Sequence, residues 1–351
     1  MQRTEKSSDV ALRARAGRAC WVVYAWLAAV PAVSMGAEGR YTQRCRPEPL
    51  VRFYNPQGQM LWGMRQDWDP AAAPDEQRSV LVSVELQRPV MGADLSLRDG
   101  RLEAAGAPLS GTVLRGSSSA GRPVEVAICG EERDAGGLTW YQIQAWNPVA
   151  GEWQNPCARG AGSSDSKALA VPGVWGATGA RADRPGQFTL ACRAGAIAKC
   201  AGWGYQPWAS KGGQPLADLH QACTRMARGD YCGDGRSHTV DGTTIDIYDA
   251  LGVQKPGPQG GAATAFEASW AADGATCLAT PRRGQALGDV LHDCAGRFEP
   301  AGDLDLGGGD HCTVRRKGSE RPDARLRTRV APPPAVPAAN SATSRELHVG
   351  L

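Results

Sequence analysis

The ten cysteines that follow residue 37 constrain this chain more than any other feature. They are Cys45, Cys129, Cys157, Cys192, Cys200, Cys223, Cys232, Cys277, Cys294 and Cys312, and an eleventh, Cys20, heads a short apolar run near the N-terminus. An even set in an exported chain reads as a disulfide framework. No Cys-x-x-Cys pair occurs, so neither a zinc knuckle nor a haem attachment site is indicated. Spacing alone leaves the pairing open. The working expectation is two local bonds, Cys192 with Cys200 and Cys223 with Cys232. Each bridge contributes ~2–4 kcal/mol, so a modest core suffices.

The N-terminus has the layout of an export signal. Arg13, Arg15 and Arg18 precede an uncharged run from Ala19 to Val33. That run is shorter than the ~20 residues a spanning helix needs. Small residues around Ser34 to Ala37 suit cleavage there, giving a signal peptide over 1–37. No other segment approaches spanning length, so no stable membrane anchor is expected, and the address is the periplasm or the extracellular medium. Residues 1–37 also hold five basic and two acidic side chains, which leaves 34 of each sign in the remainder. A neutral mature chain argues against a broad basic face for nucleic acid.

Residues 38–78 show no clear period and read as an N-terminal extension. Alternation begins with Val80, Val82, Val84 and Leu86, the period of a half-buried strand. Leu95 and Leu97 continue it up to the turn signal Asp99-Gly100. Val113 and Leu114, then Val124, Val126 and Ile128, predict further strands. In Leu138–Trp146, Tyr141, Ile143 and Ala145 fall on one side and Trp140, Gln142, Gln144 and Trp146 on the other. Phe188, Leu190 and Cys192 alternate again. The spacing of Leu216, Leu219, Cys223 and Met226 predicts a helix over about 214–228, with Pro215 in its first turn and Gly229 as its C-cap. Ile245 and Ile247, then Phe266, Ala268 and Trp270, predict two late strands. After Cys312 there is no aromatic residue, and Pro332-Pro333-Pro334 follows. Residues 299–351 therefore read as a low-complexity, disordered basic tail.

The stretch Phe188–Asp249 resembles a known family. It holds FTLAC at Phe188–Cys192, then Ala198-Lys199-Cys200, Gly204–Trp208 (GYQPW), His220–Met226 (HQACTRM), Gly229-Asp230-Tyr231-Cys232 and Cys232–Gly235 (CGDG). His238-Thr239, Asp241-Gly242-Thr243 and Tyr248-Asp249 continue the pattern. This is similar to the ADYC domain family of exported bacterial proteins, named for an Ala-Asp-Tyr-Cys motif whose first position is Gly229 here. The flanks extend the likeness over a domain of residues 79–298. The resemblance implies a bacterial, exported, cysteine-rich domain and brings no activity, cofactor or catalytic residue with it.

Three constellations carry chemistry. His220 lies three residues before Cys223 on one helix face, where an imidazole can activate a thiol. Cys223 shares its stripe with Leu219 and Met226, so a buried half-cystine fits better. The aspartates Asp230, Asp234, Asp241, Asp246 and Asp249 surround His238. They offer acid–base groups, yet they lack the spacing of a calcium loop, and Asp234-Gly235 and Asp241-Gly242 are ordinary turn dipeptides. Candidate catalytic residues are thus His220, Asp230, His238 and Asp241, for a hydrolase reading. The third constellation is Trp203, Tyr205 and Trp208, an aromatic surface for carbohydrate or envelope material. No nucleophile elbow, P-loop, dinucleotide fingerprint or His-Glu-x-x-His occurs, and neither cofactor nor metal is implied. The expected fold is α+β, mostly antiparallel β with a short helical section, stapled by disulfides. The expected role is a non-enzymatic binding or structural component, with envelope polysaccharide or another exported protein as partner.

Overall fold

The computed structural model describes residues 37–47, 82–85 and 89–332, with short breaks at 119–120, 149, 158–165, 177, 240–241, 259–261 and 303. All but the last residue of the expected signal, most of the extension, and Asp241 therefore lie outside the described residues. A short helix α1 (Ala37–Tyr41) comes first. The first half is then all β: β1 (Val82–Glu85), β2 (Leu95–Arg98), β3 (Arg101–Ala104), β4 (Val113–Ser117), β5 (Pro123–Arg133), β6 (Thr139–Asn147), β7 (Glu152–Gln154), β8 (Lys167–Pro172), β9 (Val174–Trp175), β10 (Arg181–Ala182) and β11 (Gln187–Cys192). Asp99 and Gly100 join β2 to β3 with φ of 51° and 73°. Two positive φ values are what a tight hairpin turn matching the strand twist requires.

Six of these strands close into a barrel. Their order is β5-β4-β1-β11-β8-β6, and β5 pairs back onto β6, while β7 extends β6. Closure leaves few open edges. The interior is apolar and includes Leu114, Val126, Ile128, Ile143, Phe188 and Leu190. Along β8 and β11 both faces are buried. Ala168, Ala170 and Leu190 point into the barrel, and Leu169, Val171 and Ala191 point out against helices. These two strands therefore lack the polar alternation of a half-exposed sheet.

The helices α2 (Ala196–Gly202) and α3 (Ala217–Arg228) pack on that outer face. Between them a small hairpin, β12 (Ser210–Lys211) and β13 (Gln214–Pro215), takes Pro215 out of the helix. The helix begins at Ala217, not near 214, because the backbone at Gln214–Pro215 is already paired as a strand. The second sheet covers the far side of the helices. Its strands are β14 (Ile245–Asp249), β15 (Ala265–Ala271), β16 (Gly274–Leu278), β17 (Phe298–Pro300), β18 (Val314–Arg316) and β19 (Leu326–Val330), in the order β14-β19-β15-β16-β18-β17. One more helix, α4 (Leu287–Asp293), precedes β17. All strand pairings are antiparallel and the helices are few and short, so the architecture is predominantly antiparallel β.

The disordered tail over 299–351 is corrected over its first part. Residues 304–332 are described and folded, and β19 is an inner strand between β14 and β15. Leu326, Thr328 and Val330 are buried while Arg327 and Arg329 reach the surface side. Overall charge conceals that two-residue period. The Gly307-Gly308-Gly309 run is part of a loop whose end, Asp310, is buried. Asp310 accepts from Tyr248 (2.6 Å) and Arg327 (2.7 Å).

All ten cysteines pair: Cys45–Cys129, Cys157–Cys192, Cys200–Cys223, Cys232–Cys294 and Cys277–Cys312. The local pairings expected from spacing are both replaced. Cys223 faces α2 from within α3, so its neighbour is Cys200 and not the residue beyond the helix end. Cys192 points into the barrel, where Cys157 meets it, while the next cysteine has already crossed to the helical layer.

Candidate functional site

The motif Gly229-Asp230-Tyr231-Cys232 sits where α3 stops and the chain turns onto the second sheet. Gly229 adopts φ 62°, ψ 33°, the left-handed cap. Its N–H donates to Met226 O (2.9 Å), and the N–H of Asp230 donates to Arg225 O (2.9 Å). This double bond pattern closes a helix by satisfying its last carbonyls. The left-handed conformation favours glycine, which explains the residue at the motif's first position.

Each following residue is spent on the fold. Asp230 is fully buried and pairs with Arg225 at 2.5 Å. It also accepts from the N–H groups of Gly233 (2.8 Å) and Gly235 (3.0 Å). Tyr231 stacks on Trp270 with ring centres 5.3 Å apart, and its hydroxyl donates to Glu267 (2.8 Å). Burial first, then the Glu267 charge, push this phenol well above its usual range. Glu267 in turn holds Arg282 at 2.6 Å, with both side chains buried. The Arg282 guanidinium also donates to Met226 O (2.6 Å), a carbonyl in the last turn of α3. Cys232 then bonds to Cys294 at the end of α4. The motif thus ties α3, the second sheet and α4 together.

The candidate histidines are likewise enclosed by the fold. His220 is completely buried, its Nε2 faces Ile197 O at 3.0 Å, and its ring meets Trp175 edge-on. Burial is the main force that pushes its pKa down to about 3. It touches no solvent, and its neighbour Cys223 is bonded to Cys200, so no activated thiol exists there. His238 lies with Nδ1 3.0 Å from Gly229 O and Nε2 3.3 Å from Asp293. Both ring nitrogens are engaged with protein oxygens, so neither is turned toward a substrate. The structure brings Asp230 and His238 to the same helix end, but on separate bonds. His220 lies in the helical layer with Trp175 and Ile197 instead.

The aromatic surface is corrected. Tyr205 is fully buried and donates to Asp249 (2.9 Å), which also accepts from the Leu251, Val253 and Gln254 N–H groups. Trp203 and Trp208 are half-buried against the main core. Trp208 covers the β2–β3 turn so closely that a Cβ on Gly100 would come 2.6 Å from its ring. The irregular Gly-Trp-Gly-Tyr-Gln-Pro-Trp run is therefore packing between the helices and the loop after β14.

One open pocket adjoins the motif. It has a volume of ≈ 550 Å³ and is lined by Cys232, Asp234, Asp293, Cys294, Ala295, Gly296, Arg297, Arg316 and Lys317. Asp293 is shared by Arg236 (2.7 Å) and His238, and Arg316 forks onto Asp273. Arg297, Arg316 and Lys317 went unnoticed in the sequence because they look like scattered surface charge. Glu267 did leave a signal, a carboxylate alone in the apolar run Phe266–Trp270. Among the described residues, no group of three or more His, Cys, Asp or Glu side chains is placed to hold a metal. Also among them, no helix is long and apolar enough to cross a membrane.

The profile of the ADYC domain matches residues 106–284, just over half of the chain. The chain belongs to the ADYC domain family. That match spans most of the barrel, both central helices, the motif and the β15–β16 hairpin. It leaves β17, β18 and β19 outside, so the ADYC domain of this chain rests on strands beyond the matched segment. Neither the curated proteins nor the solved structures contain a match.

Proposed function

We propose that this ADYC protein is an exported, non-enzymatic component of the bacterial envelope or secretome, a disulfide-stapled binding or structural protein. The observation that carries the reading is the commitment of the motif's polar groups to the fold. A general base must reach a substrate proton. Asp230 instead holds Arg225, His238 spans Gly229 O and Asp293, and His220 is sealed under Trp175. Five disulfides suit an oxidising compartment, which agrees with a signal peptide over 1–37. The ligand face is the mixed-charge pocket beside Cys232–Cys294. Its occupant is polar, from envelope polysaccharide or another exported protein.

The test is expression with the native N-terminus in a bacterial host, followed by fractionation and intact mass with iodoacetamide present under denaturing, non-reducing conditions. The reading expects protein outside the cytoplasm, trimmed near Ala37 and unlabelled. Full-length cytoplasmic protein with free thiols would contradict it. Retention on purified envelope polysaccharide should then fall in Lys317→Glu, and retention indifferent to that change would count against the pocket.

A further inference from the structure

The five disulfides do not share one environment. Four have at least one buried cysteine, whereas Cys45 and Cys129 are both partly exposed. Cys45 belongs to residues 37–47, a strap laid over the outside of the barrel and separate from the segment that matches the family. The strap is held by a small set of polar contacts. Arg40 pairs with Glu125 (2.8 Å), and its carbonyl accepts from the Trp153 indole (2.8 Å). Arg44 Nε donates to Gly111 O (2.8 Å). Gln144 accepts from Cys45 N (2.6 Å) and donates to Arg46 O (2.9 Å). Beneath lies an apolar patch of Val113, Ala127, Trp146 and Trp153.

Two features of Cys45 set it apart. Its φ is 61°, a left-handed conformation that is costly for a residue with a side chain. The bond it makes is also partly exposed at both cysteines, so an external thiolate can reach it.

We propose that Cys45–Cys129 is a thiol-exchange site that latches the strap over the aromatic patch. The step uses an external dithiol. One of its thiolates attacks the Cys129 sulfur, the S–S bond breaks, and Cys45 leaves as a thiolate that takes a proton from water. The second thiolate attacks the mixed disulfide and releases Cys129, also protonated from water. Two electrons pass to the protein, which gains two thiols, and the dithiol becomes a disulfide. The strap then keeps its polar contacts and the packing of Tyr41 on Trp153, and Cys45 is free to leave its left-handed conformation.

The experiment is a titration of the folded, oxidised full chain with dithiothreitol. Samples are quenched with iodoacetamide and mapped by peptide mass spectrometry. Cys45 and Cys129 should label at a reductant level at least about tenfold below that needed for any other pair. Earlier opening of Cys232–Cys294, or simultaneous opening of all five, overturns the proposal. Limited trypsin digestion of the partly reduced protein gives a second readout. Cleavage after Arg44 should rise severalfold while the barrel stays intact; unchanged cleavage would show that the bond does not latch the strap.

Discussion

The barrel and the motif end of α3 are both fully buried, yet they are held by opposite means. The barrel interior is an apolar set closed by strand pairing, where the Tyr141 hydroxyl accepts from Leu102 N (2.8 Å). The motif end buries two ion pairs, Arg225–Asp230 and Arg282–Glu267, within reach of a phenol and helix-end carbonyls. Apolar cores fail gradually, by the volume of the cavity left behind. Buried charges fail abruptly, because removing one partner strands the other. Conspicuous motif residues therefore mark a structural joint here, while plain alternating strands build the barrel.

The largest effect should come from the close approach of two backbones. Gly233 has φ 72°, and a Cβ there would overlap the Asp273 carbonyl oxygen. Gly233→Ala should abolish folded protein, whereas Gly106→Ala, also at positive φ but with open space around it, should cost about 1 kcal/mol. Equal expression of the two would break the account of the joint. Next comes Glu267→Ala, which leaves Arg282 buried and unpaired and should cost ~3–5 kcal/mol in denaturant unfolding. Leu190→Ala in the barrel should cost ~2–5 kcal/mol through a cavity. Salt sharpens the contrast little, since both sites are dry. The apolar double substitution Glu267→Leu with Arg282→Met separates them, recovering part of the loss at the joint.

A milder effect than those at Gly233 and Glu267 is acid sensitivity from His220. Its pKa falls from an ordinary 6.5 to about 3 in the folded chain, so the unfolded chain binds the proton first. Stability is full above pH 6.5 and declines as pH drops from there toward 3, by about 2 kcal/mol at pH 5. Urea unfolding midpoints at pH 7.5 and 5 measure this, and His220→Leu should flatten the difference. A slope unchanged by that substitution would place the acid sensitivity elsewhere.

Much of the fold was legible in the sequence because it rests on local periods. The strands around Leu95, Val124, Tyr141, Phe188, Ile245 and Phe266 follow from alternation, and α3 with its Gly229 cap follows from three-and-four spacing. Barrel closure was not legible, because pairings such as β1–β11, which sets Val82 opposite Leu190, are long-range facts that no window contains. The strands after Cys312 were hidden because Arg327 and Arg329 raise the polarity of a strand that buries every second residue. At the joint, His220 and Asp230 looked chemical since their residue types are chemical. Only burial and bonding partners reveal that Asp230 serves Arg225 and that His220 is shut away from solvent. Sequence spacing also favoured neighbours for disulfides, whereas packing joins Cys232 to Cys294 across 62 residues.

The central claim is that the motif is a joint between α3, the second sheet and α4. Non-reducing peptide mapping of the oxidised protein tests it most directly. The account predicts Cys200 linked to Cys223 and Cys232 linked to Cys294. A Cys223–Cys232 bridge, or Cys232 recovered as a free thiol, would contradict it.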